Sequence, residues 1–132
     1  MSYCIKPVKE DQCVIVTYEG QMTRAEIMAA RYESNKFLSK QRWNRIVVNI
    51  TKLRSIPMTL ELIDLASDLS SDLLPSTRVA LVVRPDQVKD AKLVERVARI
   101  EGVFLNHFLE PDMAAHWVRQ SPAKSKPEPA PL

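Results

Sequence analysis

The chain of 132 residues is 45% hydrophobic and 27% charged, a balance that predicts one globular domain with a single core. No apolar run approaches the roughly 18 residues that a membrane span requires, and the N-terminus lacks a signal peptide's apolar stretch, so we expect a cytoplasmic protein without an integral membrane segment. The net charge is only +3, and the 19 basic residues are spread along a chain with 6% aromatics, which argues against nucleic-acid binding.

The N-terminal part of the chain predicts two strands followed by a helix. Tyr3–Val8 and Cys13–Tyr18 have the composition of strands and are separated by a short polar turn. Thr23 and Glu26 form a T-x-x-E capping box, which opens a helix over Arg24–Ser39. One face of this helix is predicted to pack on the core, and its residues are Ile27, Ala30, Ser34, Phe37 and Leu38.

The central part contains an apolar run rich in β-branched residues, Arg45–Thr51, which predicts a strand buried on both faces. Its carboxyl end, Asn49–Pro57, lies where open α/β sheets usually place their functional loop. Pro57 suits the first position of a helix over Met58–Leu74. This loop has no catalytic dyad, metal-ligand cluster or glycine-rich phosphate cradle, so the sequence predicts no catalytic, metal or cofactor-binding residues and no enzyme.

The remaining elements continue the alternation of strands and helices. Arg78–Val83 predicts a buried strand, Asp86–Glu101 a helix that Gly102 stops, Val103–Leu109 a last strand and Asp112–Arg119 a short helix. The order β-β-α-β-α-β-α-β-α predicts an α/β fold. We expect a mixed, mostly parallel sheet of about five strands, with right-handed crossovers and helices packed on it.

The C-terminal stretch SPAKSKPEPAPL has four prolines, and its small and charged residues cannot bury a core. We therefore predict a single domain over residues 1–119 and a disordered, proline-rich tail over residues 120–132.

Few residues of the predicted domain suggest reactive chemistry. Cys4 and Cys13 lie on adjacent predicted strands, and we interpret them as small buried thiols rather than a disulfide or a zinc site. His107 and His116 have no cysteine or obvious acid partner nearby in the sequence, which argues against a triad or a metal site. Trp117 is predicted to close the core, with its indole nitrogen hydrogen-bonded at the edge of the sheet.

Two of the predicted helices carry charged stripes. The acidic residues are Glu61, Asp64, Asp68 and Asp72, and the basic residues are Lys89, Lys92, Arg96 and Arg99. Each set follows steps of three and four residues, which is typical of a solvated helix face. The two stripes could also form salt bridges between helices or between subunits.

Four segments together resemble a known family. They are VIVTYEG before the T-x-x-E helix, RIVVNITKL, RVALVV and the closing FLEPDMAAHWV. In pattern and order, residues 12–119 resemble a STAS-type domain, the fold of bacterial anti-sigma-factor antagonists, and especially its SpoIIAA-like branch. The resemblance implies a non-catalytic regulatory or protein-interaction module. SpoIIAA-like proteins are also similar in layout to Sec14-type lipid-binding domains, so binding of a small apolar ligand or lipid is the alternative.

The chain departs from this family at the site of its phosphoswitch. Signalling STAS domains carry an Asp-Ser-Ser-Gly-like motif after the central strand, and a partner kinase phosphorylates a serine there. Pro57 and Met58 stand at the positions of the acidic residue and of that serine. Thr59 is the nearest hydroxyl, and Ser55 lies on the other side of the proline. The comparison therefore predicts that the usual serine phosphoswitch is missing.

Several apolar residues fall off the predicted core faces and form a candidate interaction surface. They are Leu60, Ile63 and Leu74 of the predicted second helix and Met28 and Tyr32 of the first. These side chains could bury against a protein partner or a second subunit in a homodimer, or could line an apolar pocket. A loop or the final helix could equally cover them within the monomer.

Overall fold

The computed structural model describes residues 2–55 and 76–120 and contains a five-stranded sheet with the strand order β1-β2-β3-β4-β5. The strands are β1 (Tyr3–Val8), β2 (Cys13–Gln21), β3 (Arg45–Ser55), β4 (Arg78–Val82) and β5 (Phe104–Phe108). β1 is antiparallel to β2, and every later pair is parallel. This confirms the predicted mixed, mostly parallel sheet.

The helices in the described ranges are α1 (Arg24–Gln41), α2 (Val88–Ile100) and α3 (Pro111–Arg119). The predicted capping box begins α1. The Thr23 hydroxyl accepts a hydrogen bond from the Glu26 amide at 3.2 Å, and the Glu26 carboxylate accepts one from the Thr23 amide at 3.0 Å. None of these three helices is long and apolar enough to cross a membrane.

The two faces of the sheet are covered by different helices, since successive side chains of a strand point to opposite sides. Under α1 and α2, the sheet contributes Val14, Val16, Tyr18, Ile46, Val79, Leu81 and Leu105. Under α3, it contributes Cys13, Val47, Ala80 and Val82. The central strands β3 and β4 are therefore buried on both faces, as the apolar runs predict.

The predicted core face of α1 is confirmed. Ile27, Ala30, Ser34 and Leu38 are buried in this helix. Phe37 packs at the edge of the same cluster, with its ring 5.5 Å from that of Trp43, which is also buried. The Ser34 hydroxyl donates to the Ala30 carbonyl at 2.9 Å, so this polar side chain is satisfied inside the core.

The prediction of a loop from Asn49 was wrong. β3 continues to Ser55 because β2 also continues beyond Tyr18, and the two extensions pair. The register shifts near Gly20, whose positive φ of 69° is the backbone conformation that a bulge requires and that glycine adopts without strain. Leu53 is 3% exposed and anchors the extension in the core.

The interpretation of both cysteines as buried holds for only one of them. Cys13 is buried under α3, whereas Cys4 is exposed, and both are free thiols. Cys4 pairs with Thr17 at the β1 edge of the sheet. α3 packs over β3, β4 and β5, so it leaves this edge uncovered. The predicted helix Met58–Leu74 and the tail from Ser121 lie outside the described residues.

Candidate functional site at the carboxyl edge of the sheet

Arg84 and Gln87 hold the last part of β3 at the carboxyl edge of the sheet. Nη1 of Arg84 donates to the carbonyls of Thr51 at 2.5 Å and Leu53 at 2.9 Å. Nε2 of Gln87 donates to the Ile50 carbonyl at 2.9 Å, while its Oε1 accepts from the Arg84 amide at 2.8 Å. We call this arrangement the Arg84–Gln87 clasp. It holds the part of β3 that continues beyond the pairing with β4 and remains paired with β2.

Local sequence explains the shape of the clasp. Pro85 follows β4 and starts one 3₁₀ turn, which carries Gln87 back toward the sheet, where it is 1% exposed. Asp86 binds the guanidinium of Arg84, with Nε and Oδ1 3.0 Å apart, and this hydrogen bond lowers the pKa of the Asp86 carboxyl. The clasp side chains are thus engaged with the backbone or with each other, as expected of a structural support.

Asn49 organises the neighbouring turn of β3. Its Oδ1 accepts hydrogen bonds from the Thr51 amide at 2.9 Å and from the Thr51 hydroxyl at 2.6 Å. Ser55 is the last residue of this strand, so the stretch that was compared with the STAS phosphorylation motif begins at the end of β3. Pro57, Met58 and Thr59 lie outside the described residues.

The structure places two members of the predicted interaction surface on one flank of α1. Met28 is 37% exposed and Tyr32 is 70% exposed, and both line an open surface groove with Arg31 and Lys36. The guanidinium of Arg31 lies 3.8 Å from the Met28 sulfur. This flank is amphipathic rather than purely apolar. Leu60, Ile63 and Leu74 lie outside the described residues, so their part in an interaction surface remains a prediction.

Sequence reasoning missed the acid partner of His107. Oε2 of Glu95 lies 2.6 Å from Nδ1 of His107 and accepts the His107 backbone N–H at 2.5 Å. Glu95 is on α2 and His107 on β5, so only the packing of helix on strand brings them together. The available signal was a polar residue within a predicted strand, His107, together with an acidic residue, Glu95, on the side of a helix that faces the sheet.

The His107–Glu95 pair supports the sheet edge. β5 is an outer strand, and the Phe108 carbonyl bonds to Val83 beside β4, so the amide of His107 points outward. Glu95 satisfies that donor. Among the described residues, no group of three potential metal ligands occurs.

Trp117 packs against the core cluster under α3, as predicted, but it is only half-buried. It packs on Phe108 with ring centroids 5.6 Å apart, and the guanidinium of Arg78 lies 4.9 Å from its ring centroid. Nη1 of Arg78 also donates to the Trp117 carbonyl at 3.0 Å, which ties the end of α3 to the sheet. The outer side of the indole lines a groove of about 420 Å³ along β5, with Phe104 and Arg99. We call it the β5 groove.

No family model and no curated protein matches this sequence. Solved structures with a similar fold include the following two. An anti-sigma factor antagonist from Mycobacterium paratuberculosis is 14% identical, with a TM-score of 0.61 over 90% of this chain and 96% of the other. An uncharacterized protein of the DUF3478 family from Shewanella loihica PV-4, described as having a SpoIIAA-like fold, is 13% identical, with a TM-score of 0.60 over 88% and 91%. The chain therefore has the SpoIIAA-like fold that the STAS resemblance implied.

Proposed function

We propose that this chain is a non-catalytic regulatory or protein-interaction module of the STAS-like type, acting in the cytoplasm without the usual serine phosphoswitch. The observation that carries the proposal is the sequence at the carboxyl edge. In a fold shared with an anti-sigma factor antagonist, β3 ends at Ser55, and Pro57 and Met58 follow in place of the acidic residue and the serine.

The clasp supports this proposal. At this edge of a parallel sheet an enzyme usually presents groups that face a substrate. Here Arg84 and Gln87 donate to carbonyls of the strand itself, and Asn49 accepts from Thr51. An edge whose polar side chains bind its own backbone suits recognition of a partner better than chemistry.

The first prediction is that a serine kinase of the type that acts on STAS domains leaves the chain unmodified. The motif lacks both the acidic residue and the serine that the kinase would recognise. Phosphosite mapping after incubation with kinase and ATP is the measurement. The double variant Pro57→Asp and Met58→Ser rebuilds these two positions and is the positive control. Stoichiometric phosphate on Thr59 or Ser55 of the wild type would contradict the prediction.

The second prediction concerns self-association through the apolar surface. We expect the double change Leu60→Glu and Ile63→Glu to leave the far-ultraviolet circular dichroism unchanged and to give a smaller species in size-exclusion chromatography. Two buried charges cannot be accommodated in a subunit interface without a large desolvation cost. Leu109→Glu with Met113→Glu is the matched control, since these side chains are 52% and 61% exposed. Unfolding of the first variant would mean that Leu60 and Ile63 belong to the core.

Native mass spectrometry of freshly purified protein tests the proposal against the alternative of a small apolar ligand or lipid. We expect a dimer of bare 15.0 kDa chains. Between α1 and the sheet, the cavity lined by Val16, Tyr18 and Val48 has a volume of only about 40 Å³, whereas ligand sites usually measure about 300–1,000 Å³, so this interior space is too small for such a ligand. A chain that carries the extra mass of a small molecule would overturn the proposed function in favour of ligand binding.

A further inference from the structure

The outer face of α2 carries four exposed cations in one narrow arc. They are Lys89, Lys92, Arg96 and Arg99, and we call them the basic arc. At 100° per residue they span about 80° of the helix circumference. Within the described part of the chain, none of the four is in a salt bridge. Four like charges held side by side repel each other, so an acidic partner would be attracted to this face.

The packing of α2 sets the direction of the arc. Glu95, next to the arc on the helix, bonds to His107 of β5, and Arg99 lines the β5 groove. On the side of the arc away from Glu95, α2 carries the half-buried apolar side chains of Leu93 and Val97. The basic arc is therefore directed beyond the β5 edge of the sheet and away from β3 and β4.

The β5 groove provides an apolar site directly beside these charges. Phe104, on the wall of this groove, is 59% exposed, and Ile100, the last residue of α2, is 79% exposed. Large exposed apolar side chains of this kind, next to a charged rim, are characteristic of protein interfaces. The groove and the basic arc meet at Arg99, so one ligand could contact both.

The edge of β5 restricts how a partner can bind. Addition of a strand would need the outward N–H of His107, but Glu95 already accepts that hydrogen bond. Recognition at this edge therefore depends on side chains. Nucleic acid is disfavoured because the net charge of the chain is only +3 and aromatic residues make up only 6% of it.

We propose that the basic arc and the β5 groove together form a docking surface for an acidic protein segment that carries an aromatic or large apolar anchor. The anchor occupies the groove between Phe104 and Trp117, and carboxylates of the same segment face the arc. This inference rests on the proposed function as a protein-interaction module and names the chemistry of its partner. Charge attraction of this kind mainly accelerates association and weakens as salt is added.

The test selects ligands without assuming a partner. A display library of random dodecapeptides is selected on the immobilised full chain, and the most enriched peptide is measured by fluorescence anisotropy at low salt. We expect the enriched peptides to be acidic and to contain an aromatic or large apolar residue. The double variant Arg96→Glu and Arg99→Glu should weaken binding of that peptide roughly tenfold or more. Phe104→Ala should also weaken it.

Lys6→Glu with Lys9→Glu is the matched control, because it makes the same charge change on exposed residues at the β1 edge, which is the opposite edge of the sheet from β5. It should leave the affinity within about twofold. If the charge-reversed α2 variant does not fold, Lys92→Ala with Arg96→Ala replaces it.

Four results would overturn the inference: enriched peptides without acidic bias, an unchanged affinity in the α2 variants, tighter binding of a short DNA duplex than of any peptide, or loss of a wild-type dimer in the Arg96 and Arg99 variant. The last result would make a second copy of the chain the occupant. Failure here is distinct from failure of the proposed function, which would appear as small-molecule mass in the native spectrum.

Discussion

Replacing Gln87 with leucine is expected to lower the free energy of unfolding by about 2–4 kcal/mol, or the melting temperature by roughly 10 °C. Gln87 is 1% exposed and makes two hydrogen bonds, to the Ile50 carbonyl and from the Arg84 amide. Leucine fills the same space but leaves both backbone groups without their partner. A buried polar group that loses its hydrogen bond costs about 1–3 kcal/mol. Urea denaturation of the two proteins gives the difference.

Gln41→Leu is the matched control for this experiment. It makes the same chemical change at the exposed last residue of α1, where leucine removes no bond to the sheet. We expect its stability to stay within about 0.5 kcal/mol of wild type. Equal stabilities for Gln87→Leu and the control would show that the clasp does not support the carboxyl edge.

A loss of roughly 2–3 kcal/mol in unfolding free energy is expected between about pH 8 and pH 10.5. Burial raises the pKa of the Cys13 thiol to about 11, with a further contribution from Asp11, and burial raises the pKa of Tyr18 to about 12. Both groups are neutral at low pH and hold their proton more tightly in the folded chain than in the unfolded one. Their stabilising contribution is therefore complete below the ordinary pKa and is lost as the pH rises through the folded value.

Two alanine variants separate the contribution of Cys13 from the general effect of alkali. Cys13→Ala should lose less stability over this range, by roughly 1–2 kcal/mol, because it has no thiol to ionise. Cys4→Ala should follow the wild type, since its side chain is exposed on the outer strand. Urea denaturation at several pH values gives the slopes. Identical slopes for wild type and Cys13→Ala would contradict the assignment.

The elements that are determined by residues close together in the sequence were predictable. Thr23 and Glu26 are three positions apart, so the start of α1 is a local property, and the capping box is present. The run from Arg45 to Thr51 needs no partner to be recognised as a buried strand. The topology followed from the order of such elements, because two parallel strands need a crossover connection and such connections are right-handed.

The features that join distant parts of the chain were not predictable in this way. The extension of β3 consists largely of polar residues, and it is a strand only because the end of β2 and the side chain of Arg84 bind its backbone. Glu95 and His107 belong to different elements and meet through packing. The exposure of Met28 and Tyr32 agrees with their place off the core face, while their role as an interaction surface stays a prediction.

The two hydrogen bonds between the Glu95 carboxylate and His107 have a consequence for assembly of the fold. Until α2 lies on the sheet, the outer strand β5 presents an unpaired backbone donor at His107, the kind of edge through which partly folded chains pair with one another. Docking of α2 brings the carboxylate that closes this edge. Packing of the helix and protection against aggregation are therefore a single event, and the species most prone to aggregate is a chain whose sheet has formed before α2 has docked.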